Sequence, residues 1–266
     1  MGDISMKYLL STLLSLLLTA VAFAKIVGFD DRRVLSSNTC DATPATMARV
    51  LVPVDGKPYL STAFAATSNG AVYFVATAHS FYREGQLRAP IHDIEVNVLI
   101  DLGSGECRFE TVGIRALATA TQKPHASFFD ASRDLAIFLI DDAALSAKLR
   151  PIEIAATPIR RTNTNLFAFA WNSGRGLLPF VSECSFRKKS GESRYDDISF
   201  LHHDCDTGSG ASGAVMLCDP VSLTATACGL HTVGWGEDGR RYSDGVYNVA
   251  IPLSSRTVAP LLQKLR

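Results

Sequence analysis

The sequence predicts an all-β fold. Short apolar runs are separated by turn signals such as Ser68-Asn69-Gly70 and Gly103-Ser104-Gly105, and runs at this spacing are typical of the strands of barrels and sandwiches. Hydrophobic residues make up 47% of the 266 residues, which is enough for one large core or for two packed modules. No internal repeat or low-complexity tract interrupts this pattern.

Six predicted strands precede Asp142, and seven follow a connecting stretch at residues 143–150. The predicted strands are residues 46–54, 61–66, 71–78, 94–101, 107–118, 135–141, 152–155, 166–171, 180–186, 198–202, 214–217, 227–233 and 246–251. Residues 254–266 are predicted to form a terminal helix capped by Ser254, although Pro260 leaves the start of this helix undefined.

A serine flanked by small residues stands just before a predicted strand, in the sequence Gly210-Ala211-Ser212-Gly213. A nucleophilic serine needs a tight, glycine-rich turn that exposes its hydroxyl and directs backbone N–H groups at the developing oxyanion. Ser209 also lies between glycines, but an apolar strand follows Ser212 at once, which favours Ser212. The same four residues also suit an ordinary tight turn between strands.

A catalytic serine requires a general base and a group that orients this base. His79 ends the apolar run 71–78, and Asp134 directly precedes the apolar run 135–140. Both side chains are therefore expected at the ends of buried strands. His231 also lies in a predicted strand, and a structural role remains open for each of these three residues.

The chain resembles the trypsin-like serine peptidases in three ordered motifs. These are Thr77-Ala78-His79, Asp134-Leu135-Ala136 and Gly210-Ala211-Ser212-Gly213, with the aspartate 55 positions after the histidine and the serine 78 positions after the aspartate. Further short segments resemble the bacterial glutamyl-endopeptidase branch: Ile26-Val27-Gly28-Phe29-Asp30-Asp31-Arg32, Cys205-Asp206-Thr207 and Gly229-Leu230-His231-Thr232. The resemblance spans residues 26–251.

This resemblance implies two antiparallel six-stranded β-barrels with an active site in the cleft between them, followed by a short C-terminal helix. We expect residues 25–145 to form the first barrel, and residues 146–266 to form the second barrel and the helix. The implied activity is that of a secreted serine endopeptidase that works through an acyl-enzyme. In this scheme His79 is the base, Asp134 orients it, Ser212 attacks, and the N–H groups of Gly210 and Ser212 form the oxyanion hole.

The resemblance also implies a substrate-binding wall. Thr207 and His231 occupy positions that line the pocket for the residue before the cleaved bond, which indicates a preference for acidic residues. The segment from Thr232 to Gly234 is expected to pair with the substrate backbone as an added strand. Asp206 allows two interpretations. Its carboxylate would recruit a Lys or Arg side chain of the substrate if it entered the pocket, and it would otherwise form structural hydrogen bonds.

Ala211 departs from the family pattern. Many trypsin-like enzymes bury a new Ile-Val-Gly terminus against an aspartate at this position, and a buried ammonium without a carboxylate partner is strongly unfavourable. We therefore expect this chain not to use that activation switch, despite Ile26-Val27-Gly28.

Six cysteines fit a protein exported to an oxidising compartment. Fifteen pairings are possible. We favour Cys218 with Cys228 across a turn-rich segment, then Cys184 with Cys205 across a charged loop, which leaves Cys40 with Cys107. None of these cysteines forms a Cys-x-x-Cys pair, so a zinc site is not expected.

Residues 1–24 are interpreted as a secretory signal peptide. Lys7 precedes an apolar run at 8–23, and Ala22-Phe23-Ala24 has the form of a cleavage site. A retained anchor is the alternative, but sixteen residues fall short of the roughly 20 that a spanning helix needs. We expect the mature protein to be secreted or periplasmic and to have no membrane association.

The charge balance excludes a strong electrostatic attraction to nucleic acid, because 26 basic residues match 26 acidic ones. The expected partner is a protein or peptide substrate, the expected state is a monomer, and no metal or organic cofactor is implied. Two other classes remain as alternatives. One is a secreted protease-like binding module without activity, and the other is an unrelated disulfide-stabilised β-sandwich that serves adhesion.

Overall fold

The computed structural model of this chain describes twelve stretches of the sequence. These are residues 26–27, 30–35, 43–68, 70–102, 106–124, 126, 128–156, 163–172, 176–187, 200–217, 226–235 and 247–265. The predicted signal peptide, Cys40 and Cys218 lie outside these residues. Within the described stretches, none of the helices has the length and apolar character needed to cross a membrane.

The structure confirms the all-β prediction. The strands are β1 (Arg33–Val34), β2 (Met47–Val54), β3 (Lys57–Ser68), β4 (Ala71–Ala76), β5 (Tyr82–Arg83), β6 (Gln86–Leu87), β7 (Glu95–Asp101), β8 (Cys107–Val112), β9 (Ile114–Thr119), β10 (Ala136–Ile140), β11 (Ile152–Ile154), β12 (Asn163–Asn172), β13 (Gly176–Arg187), β14 (Leu201–His203), β15 (Val215–Leu217), β16 (Thr226–Trp235) and β17 (Tyr247–Pro252). The helices are α1 (Phe128–Ala131), α2 (Ala143–Ser146) and α3 (Ser255–Lys264).

The first group of strands forms a continuous antiparallel path in the order β8-β7-β2-β3-β4-β10-β9. The two ends of this path, β8 and β9, are consecutive in the chain and are separated by Gly113. The predicted single strand at 107–118 is therefore broken at this glycine. Phe74 of β4 and Phe138 of β10 stack inside with their ring centroids 5.2 Å apart.

The second group of strands closes into a six-stranded barrel. Its pairings run β12-β13-β14-β17-β16-β15 and return to β12, and every pairing is antiparallel. Closure removes the exposed strand edges that an open sheet would leave. The short strand β11 runs parallel to both β3 and β16 and so joins the two groups.

Helix α3 packs against β9 and β10 of the first group. Its N-terminus has the predicted serine cap, because the Ser254 hydroxyl accepts a hydrogen bond from the Thr257 N–H while the Thr257 hydroxyl accepts one from the Ser254 N–H. This reciprocal arrangement satisfies two N–H groups that a helix start leaves open. Pro260 lies inside the helix.

A disulfide links Cys184 at the end of β13 to Cys205 in the loop that follows β14. This is one of the three predicted pairings. Cys107 and Cys228 are also disulfide-bonded, but the other two predicted pairings each include a cysteine outside the described residues. The Cys184–Cys205 bridge ties the segment before Ser212 to the barrel wall.

The N-terminal segment is held by Asp206. The N–H of Val27 donates to Asp206 Oδ1 at 2.6 Å, and the N–H of Asp31 donates to Oδ2 at 2.8 Å. After these contacts, β1 pairs with β13. Asp206 is 1% exposed, so its carboxylate is a buried anchor between the N-terminal segment and the loop that carries Ser212.

Burial raises the pKa of Asp206 to about 7, and the nearby Asp31 carboxylate acts in the same direction. The two N–H donors oppose this change by stabilising the charged form. Because the folded protein binds this proton more tightly than the unfolded chain does, the contribution of Asp206 to stability falls as the pH rises from about 4 to about 7.

We predict that part of the loss of thermal stability between pH 5 and pH 8 disappears in Asp206→Asn. An asparagine keeps one acceptor for the N-terminal segment and does not ionise. Melting temperatures of both proteins across this range should show a decline that is a few degrees smaller in the variant. Asp93→Asn at an exposed site is the control and should keep the wild-type decline. Equal declines in wild type and Asp206→Asn would contradict the assignment.

Candidate active site

The strand pairing explains how His79 and Asp134 come together. Strand β4 ends at Ala76, and a 3₁₀ turn at Ala78–Ser80 carries His79 just beyond it. Strand β10 begins at Ala136, which lies opposite Ala76 in the antiparallel register. The residues after β4 and before β10 therefore meet at the same end of the sheet, although 55 residues separate them in sequence.

The Asp134 carboxylate contacts His79 with both oxygens. The Nδ1 atom of His79 lies 2.6 Å from Oδ2, and the main-chain N–H of His79 donates to Oδ1 at 2.7 Å. The histidine is 5% exposed and the aspartate 2% exposed. A carboxylate in this position favours the tautomer that carries its proton on Nδ1, so the Nε2 atom of the neutral ring is left with a lone pair.

Arg88 and Tyr59 support His79 from outside the pair. The Nε–H of Arg88 donates to the main-chain oxygen of His79 at 2.9 Å, and its guanidinium lies 4.3 Å from the centre of the Tyr59 ring. The Tyr59 ring in turn lies edge-on to the imidazole at 6.4 Å. These contacts fix the main chain and one side of His79.

Ser212 lies in a sharp turn directly before β15. Gly210 and Gly213 have φ angles of 99° and 90°, which are in the left-handed region that glycine adopts without strain. Within the turn, the N–H of Ala211 donates to the Gly208 oxygen at 2.9 Å, and the N–H of Ala214 donates to the Ala211 oxygen at 2.8 Å. The two glycines thus permit the conformation that presents the serine between them.

The serine turn is docked against β3 of the first group of strands. The N–H of Thr62 donates to the main-chain oxygen of Ser212 at 2.8 Å, and the Thr62 hydroxyl donates to the Gly210 oxygen at 2.8 Å. A β-carbon on Gly213 would lie 2.0 Å from the Thr62 oxygen. Glycine at position 213 is therefore required both by its φ angle and by this close approach of two backbones.

The Ser212 hydroxyl donates to the main-chain oxygen of Thr232 at 3.1 Å. Among the described residues, no acceptor is bonded to the N–H groups of Gly210 and Ser212. These two N–H groups are thus available to an anionic oxygen held next to the hydroxyl.

The predicted substrate-binding residues lie in the second barrel, close behind the serine turn. Thr207, His231 and Thr232 are all buried. The Thr207 hydroxyl donates to Asn248 Oδ1 at 3.2 Å, and Asn248 Nδ2 donates to the Cys205 oxygen at 2.7 Å. Gly234 of β16 lies opposite Asn248 in the strand register.

His231 contacts a second buried histidine. Its Nδ1 atom lies 3.1 Å from Nε2 of His203, and neither ring is exposed. The remaining ring nitrogens, Nε2 of His231 and Nδ1 of His203, have no hydrogen-bond partner in the described part of the chain. Burial lowers the pKa of His231 to about 3, with a smaller contribution from the charge of His79.

The structure resolves the two alternatives that the sequence left open for Asp206. Both of its oxygens accept hydrogen bonds from the N-terminal segment, so it has the structural role rather than the one of recruiting basic side chains. Ala211 is fully buried. The N-terminal segment is anchored at the Asp206 carboxylate, five residues before Ala211, which is the position where many trypsin-like enzymes have an aspartate.

Sequence reasoning missed several residues around this site. Thr62, Arg88 and Tyr59 belong to strands or loops that carry no motif, and their contacts are made only after the chain has folded. His203 does not end an apolar run in the sequence, so nothing marks it there as a functional residue. The one feature of the sequence that points to His203 is its position two residues before Cys205-Asp206-Thr207, the segment that leads to Ser212.

Comparison with known proteins gives fold-level similarity alone. No protein-family model matches the sequence, and no curated protein matches it. Among solved structures, a Glu endopeptidase in complex with MPD aligns with a TM-score of 0.61 at 14% identity, covering 90% of this chain and 98% of that one.

Two further solved structures give similar values. Protease Anisep from Arthrobacter nicotinovorans aligns with a TM-score of 0.58 at 12% identity, covering 88% of this chain and 96% of that one. The thermostable serine protease AL20 from an extremophilic microorganism aligns with a TM-score of 0.58 at 10% identity, covering 85% and 98%. Together with the closed six-stranded barrel and the C-terminal helix, these alignments show that this chain has the chymotrypsin-like fold of the serine proteases.

Proposed function

We propose that this protein is a serine endopeptidase that hydrolyses peptide bonds through an acyl-enzyme on Ser212. The observation that carries the proposal is the buried contact of His79 with Asp134, with Nδ1 and Oδ2 2.6 Å apart. A buried carboxylate that uses both oxygens on one histidine is the arrangement expected of a base held for proton transfer. The likeness to serine protease structures supports the same chemistry.

In the proposed mechanism, the Ser212 hydroxyl turns from the Thr232 oxygen towards His79. The Nε2 lone pair of His79 takes the hydroxyl proton as the serine oxygen bonds to the peptide carbonyl carbon. Asp134 stabilises the imidazolium that forms, and His79 then passes the proton to the departing amine. Water then attacks the carbonyl carbon of the acyl-enzyme while His79 takes one of its protons. The bond to the Ser212 oxygen breaks, His79 returns the proton to this oxygen, and the acid product leaves.

The N–H groups of Gly210 and Ser212 would stabilise the tetrahedral intermediate. Both are free of acceptors in the described part of the chain, and both belong to a turn fixed by Thr62. Donors that are held in place before the charge develops need no reorganisation during the reaction. In other serine proteases the loss of one such donor costs about 10²- to 10³-fold in rate.

We further propose that the enzyme prefers an acidic residue before the cleaved bond. The support is His231, whose Nε2 is buried without a partner. When Nε2 carries the ring proton, this buried N–H with no acceptor costs about 1–3 kcal/mol, and a substrate carboxylate would supply the missing acceptor. Because Thr207 and His231 have no exposed surface, this binding requires the pocket wall to open for the substrate side chain.

The disulfide between Cys184 and Cys205 is compatible with an exported protein, since such bonds persist in oxidising compartments. We propose that the enzyme acts outside the cytoplasm, as a monomer, on proteins or peptides. This proposal includes a signal peptide at residues 1–24 and a boundary between the two barrels at residues 145 and 146.

Loss of the Ser212 hydroxyl should abolish peptide cleavage. Wild-type protein should cleave unstructured peptides, and Ser212→Ala should lower kcat/KM by at least about 10³-fold because the nucleophile is lost. Ser209→Ala is the matched control, since Ser209 is exposed in the same loop, and it should stay within a few-fold of wild type. Liquid chromatography of the digests measures both. A folded wild-type protein without activity would instead indicate a binding module.

The acidic preference should be visible in the cleavage of peptides that differ in one residue. In a peptide library that varies the residue before the cleaved bond, Glu should exceed Gln in kcat/KM by about tenfold or more at pH 7, because a charged acceptor binds the His231 N–H more strongly than an amide does. The ratio should fall as the Glu side chain is protonated near pH 4. A preference for Lys or Arg, or equal rates for Glu and Gln, would contradict the acidic preference.

A further inference from the structure

We infer that His203 is a positioning residue that fixes the proton of His231, so that the Nε2–H of His231 faces the acidic side chain of the substrate. This inference rests on the proposed acidic preference. It assigns a role to a residue on β14, which lies two strands away from β16 in the second barrel.

The two histidines are placed by the strand order β14-β17-β16. His203 is opposite Asn248 of β17, and His231 is opposite Ala250 of the same strand. Their rings meet at 77° to one another with centroids 5.2 Å apart. The distance of 3.1 Å between His203 Nε2 and His231 Nδ1 is that of a hydrogen bond.

A hydrogen bond between two neutral imidazoles allows only two proton arrangements. In the first arrangement, His203 Nε2–H donates to His231 Nδ1, and His231 carries its own proton on Nε2. In the second arrangement, His231 Nδ1–H donates to His203 Nε2, and His231 Nε2 is an unprotonated acceptor. A carboxylate can bind to His231 only in the first arrangement.

The surroundings of the pair favour neutral rings. Burial lowers the pKa of both histidines, and the charges that also act on them are cationic: His231 and His202 on His203, and His79 on His231. Interaction with the backbone of Val249 opposes this lowering at both rings. In the first arrangement, the neutral pair therefore presents an N–H donor at His231 Nε2.

The unpartnered nitrogens indicate that a ligand completes the pair. His203 Nδ1 and His231 Nε2 are both buried without a partner in the described residues. A carboxylate at His231 Nε2 accepts a proton that is otherwise unsatisfied and selects the first arrangement. In the first arrangement His203 Nδ1 is then an acceptor without a donor, whereas in the second it would be an N–H without an acceptor. The first case costs less, because an unbonded acceptor is tolerated better than an unbonded N–H.

The test compares His203→Phe and His203→Gln in the full chain. Phenylalanine removes the donor to His231 Nδ1, whereas the glutamine side-chain amide can still donate to it. We expect His203→Phe to reduce the Glu-over-Gln ratio of kcat/KM by about tenfold and His203→Gln to restore most of it. The rate at which a fluorophosphonate labels Ser212 should change less than twofold in both variants, since the inference places no role for His203 at the nucleophile.

His202→Phe is the matched control. His202 is the adjacent residue of β14, and its ring contacts Tyr247. Adjacent residues of a strand point to opposite faces of the sheet, so this substitution should leave the Glu-over-Gln ratio unchanged. An unchanged ratio in a folded, labelled His203→Phe would overturn the inference and leave the proposed function intact. Equal rates for Glu and Gln in the wild type would contradict the acidic preference, and the inference would fall with it.

A second measurement does not depend on the folding of any His203 variant. Nitrogen-15 NMR of the wild-type histidine side chains, with a product peptide that ends in Glu, reports which nitrogen of His231 is protonated. The expected state is protonated Nε2 and unprotonated Nδ1, assigned through the loss of the signal in His231→Gln. A proton on Nδ1 with a free Nε2 would overturn the inference.

Discussion

The docking of the Ser212 turn against Thr62 is the constraint on which the candidate site depends. His79 and Asp134 belong to one group of strands and Ser212 to the other, so the three side chains share a site only if the two groups are fixed relative to each other. Three contacts set this relation: the Thr62 main-chain N–H donates to the Ser212 oxygen, the Thr62 hydroxyl donates to the Gly210 oxygen, and the Gly213 backbone lies so close to the Thr62 oxygen that no β-carbon would fit. Backbone contacts are stiffer than contacts between long side chains, because no rotamer change can relieve them.

A second set of contacts holds the segment that leads into the turn. The disulfide attaches Cys205 to β13, and the next residue, Asp206, binds the N-terminal segment with both oxygens. Thr207 is tied to Asn248 of β17. Three consecutive residues are therefore fixed to three different parts of the chain, which explains how a loop of small residues keeps one conformation.

The sequence predicts those features that local chemistry determines. A strand that ends at His79 and a strand that begins after Asp134 were visible as apolar runs, and antiparallel pairing of β4 with β10 brings their ends together. The Ser254 cap and the glycines around Ser212 were also visible, because they depend on a few neighbouring residues.

Contacts between distant segments were not predictable in the same way. The partners of Asp206 lie 175 and 179 residues away, and Thr62 lies 148 residues from Gly210. No periodicity or motif connects such pairs. The sequence alone therefore allows Asp206 either a structural role or the recruitment of Lys or Arg, and only the folded structure distinguishes the two. His203 and His231 are similarly linked only by the order of β14, β17 and β16.

The most direct test of the account is active-site labelling. Wild-type protein would be treated with a fluorophosphonate, digested and mapped by mass spectrometry, beside a His79→Ala variant shown to be folded. We expect one adduct per chain, located on Ser212, and a large loss of labelling in His79→Ala because the base that activates the hydroxyl is gone. A folded wild-type protein without an adduct on Ser212, or equal labelling of both proteins, would contradict it.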